Sequence, residues 1–464
     1  MKRSIVLVTL DALRADHCGY VGYDRDTTPT IDRLASDGLA FETAVAPGTN
    51  TPSSMTGCFT GQHASQDVAF APAEDWRRDL SRRATLAQRL SRRGYATGAV
   101  HPQVHASRHF GFDSGFDHFE DFLPDRGERS VQNALLRRMF AGSDLFSTLR
   151  NVRNVLARDE ALTPWERYYE DVLGWATGQE EPFFLWTLLP DTHFPYLPPA
   201  DYRRWSSRTD MYRANYDCYR HIGDTDVDLG ERARRRIVDT YDATIRYSDA
   251  FVRRLRDDLR DRGIDPVFVV HADHGEAFGE HGTYGHLAYP YEEVTHVPLV
   301  VHGTGTTGRV ERPFSLLDLP DLLVAVADER PLAEVYDPGS GAARGTGSGA
   351  GSGLNGDPRT NGGGGTHGPS GDSRDRGGRP WAITQVRDDG RRVTAIRLPG
   401  WKYVDRGGGE GDRLFELSAD PGERHDVSDD HPELLAACRR LRDARAVGNA
   451  ERDAVHGAFD RLEA

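Results

Sequence analysis

The side chains best suited to chemistry lie in the segment HADHGEAFGEHGTYGH, from His271 to His286. Asp273 and His274 stand side by side directly after the apolar run Pro266 to Val270. A buried strand ending in Asp-His-Gly presents a carboxylate and an imidazole at its carboxyl end, where α/β sheets place their chemistry. Carboxylate oxygen with imidazole nitrogen suits Mn, Mg, Zn or Ca. Asp11 follows a second apolar run, Ile5 to Leu10, so carboxylates at the ends of two central strands can converge on one metal. A third feature is Gly48-Thr49-Asn50-Thr51-Pro52-Ser53-Ser54-Met55, with Phe59-Thr60-Gly61 behind it. A strand, a hydroxyl-rich turn and a short helix place a hydroxyl at a helix N-terminus. Free N–H groups and the helix dipole there favour an oxyanion and lower the hydroxyl pKa. His193 follows the apolar run ending at Pro190, and His286 closes the first segment. Each residue alone has an ordinary reading. Asp11 can be a helix N-cap, the Thr and Ser hydroxyls can cap the helix, and a lone histidine can sit on the surface. Six such residues, each just past an expected strand or at a helix start, make coincidence the weaker account.

The elements that must position these residues alternate between strand and helix. Ser4 to Leu10, Phe41 to Ala46, Ala96 to Val100, Pro182 to Leu188, the run before Asp273, and Val297 to Val301 read as strands. Thr28-Pro29 opens a helix closed by Gly38, and Leu86 to Arg92 is a helix ended by Gly94. Ile237, Tyr241, Ile245, Ser248, Val252, Leu255 and Leu259 share one helical face that Gly263 terminates. Alternation of this kind predicts an α/β sandwich with a largely parallel central sheet. Composition changes near Asp337: from 337 to 380 Gly, Ser, Asn and Arg dominate, which predicts a flexible insertion. From 381 to 464 the pattern predicts a small C-terminal α+β subdomain, with strands at Ala382 to Val386, Arg392 to Leu398 and Lys402 to Val404 and a terminal helix at Glu433 to Arg445. Residues 1–336 form the expected catalytic domain, with the Arg- and Tyr-rich stretch from Glu120 to Arg235 as its pocket wall.

The 464 residues carry a formal charge of −14, and no basic groove is evident, so nucleic acid is not an expected partner. No run approaches the roughly 20 apolar residues of a membrane span. The apolar start ending at Asp11 is too short for a signal peptide. Cys18, Cys58, Cys218 and Cys438 have no paired spacing, which reads as free thiols and a cytoplasmic location.

Taken in order, these residues give the chain a close resemblance to the sulfatase family of the alkaline phosphatase superfamily. The resemblance rests on Val8-Thr9-Leu10-Asp11-Ala12-Leu13-Arg14-Ala15-Asp16 with Gly19-Tyr20, on Gly111-Phe112-Asp113-Ser114-Gly115-Phe116-Asp117, and on His193-Phe194-Pro195. It continues through Asp273-His274-Gly275-Glu276, Val297-Pro298-Leu299-Val300, Trp401-Lys402-Tyr403, and Leu414-Phe415-Glu416-Leu417 with Asp420-Pro421-Gly422-Glu423. It implies an alkaline-phosphatase-like three-layer sandwich and a metal site made by Asp11, Asp273 and His274. The nucleophile would be a further ligand. Counting back nine residues from Thr60-Gly61 places Thr51 at the nucleophile, leaving Cys58 as a core thiol. The resemblance also implies that His193 and His286 touch the anion and the leaving group, with His286 where Lys is common. His281 is left as a residue behind the metal ligands.

The chain departs from the family pattern at the nucleophile. Thr51 replaces the Cys or Ser that sulfatases convert to formylglycine, Ser53 replaces Pro, Met55 replaces Arg, and Ala12 stands where many members have a second Asp. Threonine cannot become formylglycine, and a sulfated threonine could be resolved only by slow attack at sulfur. A phosphothreonine is workable, and related transferases and diesterases of the superfamily use Thr this way. The expectation is therefore a metal-dependent hydrolase or transferase of small anionic phosphate or sulfate esters, phosphoesters preferred. One divalent metal is expected, with Mn²⁺ the best match and Mg²⁺, Ca²⁺ or Zn²⁺ also suited. A sulfuric ester hydrolase without formylglycine, and a catalytically weak binding protein on the same scaffold, are the alternatives.

Overall fold

The structure, a computed structural model, describes residues 2–65, 71–122, 163–180, 182–221, 227–286, 289–336, 381–388, 390–407 and 411–444. The Gly-rich insertion expected at 337–380, and part of the expected pocket wall at 123–162, lie outside these residues.

Fifteen strands are described: β1 (Ile5–Leu10), β2 (Leu39–Val45), β3 (Ala96–Val100), β4 (His118–Glu120), β5 (Phe183–Leu189), β6 (Val267–Ala272), β7 (Ala277–Phe278), β8 (Tyr284–Gly285), β9 (His296–His302), β10 (Gly308–Val310), β11 (Phe314–Ser315), β12 (Ala382–Asp388), β13 (Arg391–Leu398), β14 (Trp401–Asp405) and β15 (Asp412–Glu416). The central sheet runs β10-β2-β9-β6-β1-β5-β3-β4, with β11 beside β2. Every pairing in it is parallel except those of β9, which runs against both β2 and β6. The expected largely parallel sheet is therefore present. β1 lies at its middle, between β5 and β6, with every residue buried. Burial on both faces explains why β1, β5 and β6 read as unbroken apolar runs rather than alternating ones.

Helices flank this sheet: α1 (Pro29–Ser36), α2 (Thr51–Thr60), α3 (Ala73–Ser81), α4 (Leu86–Ser91), α5 (Tyr169–Thr177), α6 (Arg208–His221), α7 (Glu231–Asp261), α8 (Glu292–Thr295), α9 (Leu319–Ala327) and α10 (Leu332–Tyr336). The single face read from Ile237 to Leu259 is the buried face of α7. α1 begins at Pro29 as expected, but Thr28 does not cap it. The carboxylate of Asp249, on α7, accepts from the backbone N–H groups of Thr30 and Ile31, so a tertiary contact replaces the local cap.

The core centres on Trp186 of β5, whose ring packs against Phe59, Phe112, Phe116, Phe119 and His101. Its Nε1 donates to Thr9 Oγ1 at 3.1 Å, and that oxygen lies 2.9 Å from His271 Nε2. One hydroxyl thus links β5, β1 and β6. The four cysteines are free and buried, and no described helix is long and apolar enough to cross a membrane.

β12 to β15 form a separate antiparallel sheet, followed by a helix at residues 432–444. The three strands expected there are present; β15 was legible only as the Leu414-Phe415-Glu416 motif. β12 docks beside the central sheet through Thr384 Oγ1 to Ala46 O at 2.6 Å and Gln385 N to Pro47 O at 3.0 Å. Trp186→Ala is expected to cost about 3–5 kcal/mol by chemical denaturation, and Trp186→Phe less. A cost of Trp186→Ala below about 1 kcal/mol would contradict this account of the core.

Candidate active site

Parallel register makes the site. Leu10 pairs with Ala272, so β1 and β6 end side by side and release Asp11 and Asp273 at the same level. Both carboxylates are fully buried. Asp11 is fixed through its backbone: its N–H donates to Leu189 O at 3.0 Å, and its carbonyl accepts from Thr192 Oγ1 at 2.5 Å. Ala12 takes a left-handed conformation, φ 59°, that turns the chain out of the sheet. Its N–H then donates to Asp273 Oδ1 at 3.2 Å, and Tyr241 Oη donates to its carbonyl at 2.7 Å. An L-residue in this region costs about 1–2 kcal/mol, held here by bonds on both sides.

His274 is buried beside these carboxylates, with Nε2 3.4 Å from Asp11 Oδ1 and 3.6 Å from Asp273 Oδ2. Its Nδ1 lies 2.9 Å from Gly275 O. With the ring proton on Nδ1, the Nε2 lone pair faces the carboxylates. Burial lowers the pKa of His274 and keeps the ring neutral, as a ligand requires. Gly275 packs so closely under α8 that a Cβ there would lie 2.2 Å from Glu293 O, which accounts for the Gly of the motif.

Thr51 is the first residue of α2. Its Oγ1 lies 3.4 Å from both Asp11 Oδ1 and His274 Nε2. The N-cap is not one of the Thr or Ser hydroxyls but Asn50, whose side chain accepts from Ser53 N at 3.0 Å. Ser53 Oγ donates to the Asn50 side chain at 2.6 Å, and Ser54 Oγ donates to Asp273 O. The capping duty falls on Asn50, and Thr51 is left to face the carboxylates.

Three imidazoles gather on one side. The rings of His274 and His286 are 4.4 Å apart, those of His193 and His286 5.0 Å, and those of His193 and His274 6.4 Å. His286 Nδ1 lies 2.7 Å from Glu276 Oε1, and Tyr196 Oη donates to Glu276 Oε2 at 3.1 Å. Burial opposes ionisation of Glu276, but His286 and the neighbouring histidines hold its pKa down at about 2. Burial likewise works against a charged His193, yet the carboxylates of Asp11 and Glu276 outweigh it and raise its pKa. All six residues expected at the site are thus together. His281 is not behind the metal ligands as expected: it stacks on Tyr291 and faces Glu293 instead.

Two residues of the site carried no assignment in the sequence. Gln103, buried just past β3, donates from Nε2 to Asp11 Oδ2. Its signal was positional, since it follows a central strand as Asp11 and His193 do. Glu276 stood inside the Asp-His-Gly-Glu motif, but its pairing with His286 depends on the β7–β8 turn between them.

Asp11, Asp273 and His274 offer ligand atoms within 4.8 Å of one another. Asp273 Oδ2 is buried without a hydrogen-bond partner. Burial, and then the charge of Asp273, raise Asp11 to about 6. Two buried carboxylates, an unpartnered oxygen and a neutral imidazole suit a divalent cation. The sign of the linkage follows. A carboxyl raised from about 4 to 6 disfavours the folded state once it ionises, so metal-free stability falls as pH rises across that interval, by on the order of 2 kcal/mol. Thermal unfolding of chelator-treated protein should show a falling midpoint from pH 4.5 to 7.5. Asp11→Asn should flatten the fall, and added Mn²⁺ should offset it. A midpoint unaffected by Asp11→Asn at both pH values would refute this account.

The sulfatase family profile matches residues 3–328. Human iduronate 2-sulfatase is 26% identical over 358 residues, covering 68% of this chain but 63% of its own length, less than two thirds. The arylsulfatase of Clostridium perfringens is 24% identical over 377 residues, covering 71% of this chain and 75% of the relative. Among solved structures, the phosphonate monoester hydrolase of Agrobacterium radiobacter superposes with a TM-score of 0.66 at 18% identity, covering 96% of each chain. A family profile spanning most of the chain and the shared fold agree: this chain belongs to the sulfatase family.

Proposed function

We propose that the chain is a metal-dependent esterase that forms a covalent intermediate on Thr51 and prefers phosphoesters. The observation that carries this reading is the position of Thr51 Oγ1, equidistant at 3.4 Å from Asp11 Oδ1 and His274 Nε2 at the start of α2. Asp11, Asp273, His274 and Thr51 would hold the cation, which when bound polarises a substrate oxygen and lowers the hydroxyl pKa. Thr51 Oγ1, passing its proton to the Asp11 carboxylate to which it donates, attacks in line, forming its bond to phosphorus as the bond to the leaving oxygen breaks. The N-terminus of α2 faces the negative charge that builds there. The leaving oxygen takes a proton from the imidazoles of His193 and His286. Glu276 and Asp11 favour the protonated form of His193, and Glu276 orients His286 through Nδ1. Water, or an acceptor alcohol, then attacks phosphorus and releases Thr51.

Threonine is what favours phosphorus. It has no route to the aldehyde hydrate with which formylglycine expels sulfate, whereas a phosphothreonine can be resolved at phosphorus. A sulfuric ester substrate is the second reading, supported by the family and by relatives named iduronate 2-sulfatase and arylsulfatase. A cytoplasmic location also belongs to the proposal, on the four unpaired cysteines.

Purified protein with Mn²⁺ should turn over aryl phosphodiesters or monoesters faster than aryl sulfate, and a sulfate-only activity would overturn the preference. Thr51→Ala should lower kcat by roughly 10³-fold or more, and quenched turnover should leave phosphate on Thr51; unchanged turnover in this variant would remove Thr51 from the mechanism. Glu276→Gln removes a carboxylate that raises His193. The basic limb of the kcat/KM profile should therefore move to lower pH.

A further inference from the structure

A second cluster of ligating side chains lies outside the active site, where the C-terminal segment meets the catalytic unit. His281 comes from the turn Glu280–Gly282 between β7 and β8, Glu293 from α8, and Glu423 from the turn after β15. Their ligand atoms lie within 4.8 Å of one another. His281 Nε2 is 3.8 Å from Glu293 Oε1 and has no hydrogen-bond partner, and Glu423 Oε1 is buried and likewise makes no hydrogen bond. The nearest cation to that oxygen is Lys402 Nζ at 3.4 Å, but Lys402 also serves Glu292 Oε1 and Thr295 Oγ1, each at 3.0 Å. Lys402 is therefore shared between Glu423 and Glu292, the latter also paired with Arg397 at 3.1 Å, and Glu293 adds a third carboxylate.

We propose that His281, Glu293 and Glu423 form a second divalent-metal site, distinct from the Asp11 site, that clips the C-terminal segment to the catalytic unit. The donor set is one imidazole nitrogen and two carboxylate oxygens. It fits a borderline cation such as Zn²⁺ at 2.0–2.2 Å ligand distances, with water completing the shell. It is a poor match for Ca²⁺, which takes six to eight oxygens. The electrostatics agree with the geometry. Burial and the surrounding acids raise Glu293 to about 8 and Glu423 to about 7, while burial lowers His281 to about 4. Two buried carboxyl groups thus face a neutral imidazole. The ring of His281 is held by stacking on Tyr291, centroids 3.8 Å apart at 12°. Glu423 Oε2 is oriented by the backbone N–H of Glu292 at 2.6 Å.

The site has a structural consequence for the active centre without touching substrate. Glu293 O is the oxygen against which Gly275 packs, and His281 lies in the turn between Glu276 and His286. A cation here fixes the segment carrying both residues.

The test is Zn²⁺ stoichiometry on the full chain after chelator treatment, by calorimetric titration and elemental analysis. Wild type should bind two equivalents. Asp273→Asn should lose one and keep the other; Glu423→Gln should lose the other and keep the first. Zn²⁺ should raise the unfolding temperature of Asp273→Asn, and not that of Asp273→Asn combined with Glu423→Gln. His281→Asn, which suits the left-handed backbone at position 281 (φ 52°), provides a second variant if Glu423→Gln does not fold. Identical stoichiometry in wild type, Glu423→Gln and His281→Asn would overturn the proposal. So would retention of no Zn²⁺ by Asp273→Asn. Neither result depends on whether Thr51 is the nucleophile.

Discussion

Two like charges forced together by strand register govern this molecule. β1 and β6 pair in parallel, so the first residue past each strand end arrives at the same depth, and the side chains of Asp11 and Asp273 share one dry pocket. Two adjacent buried carboxylates are unfavourable unless something positive or hydrogen-bonding lies between or around them. The surroundings answer that need group by group. Gln103 donates to Asp11, the Ala12 N–H donates to Asp273, and His274 and His193 lie close by. Thr51 is delivered at the start of α2, whose dipole has the sign this charge requires. Asp273 Oδ2 is buried without a hydrogen-bond partner, and this is what supports the cation site proposed there.

Much of this was legible before any coordinates because the central strands are buried on both faces. Such strands must be apolar from end to end, so the first polar residue after each stands out. Asp11, Asp273 and His193 were found that way. Short edge strands gave no comparable signal: β4, β10 and β11 have only two or three residues each, too few for a period to register. Gln103 and Glu276 were missed for a different reason. Their roles depend on partners 92 and 10 residues away, brought close by loops with no periodicity. The cap of α2 was read as a choice among hydroxyls, whereas a longer side chain, Asn50, reaches Ser53 N and releases Thr51.

The departures from the family pattern look less like decay once placed in three dimensions. Ser53, at an altered motif position, and Ser54 next to it both make hydrogen bonds that fix the first turn of α2. Met55 is fully buried, so no cation at that position reaches the pocket. Near the site stand instead His193, whose pKa the carboxylates of Asp11 and Glu276 raise, and His286, which is paired with Glu276. A cluster of imidazole rings stands where fixed cations would otherwise be.

The central placement of β1 also has a consequence for how the protein is made. Its neighbours in the sheet begin at Phe183 and Val267, so β1 is synthesised well before the strands that fill its two edges. Contacts this distant in sequence form slowly, and until they form an apolar six-residue strand with free edges is exposed to other chains. The pocket cannot exist in any N-terminal fragment lacking β6. All-or-none formation of the pocket follows from that order.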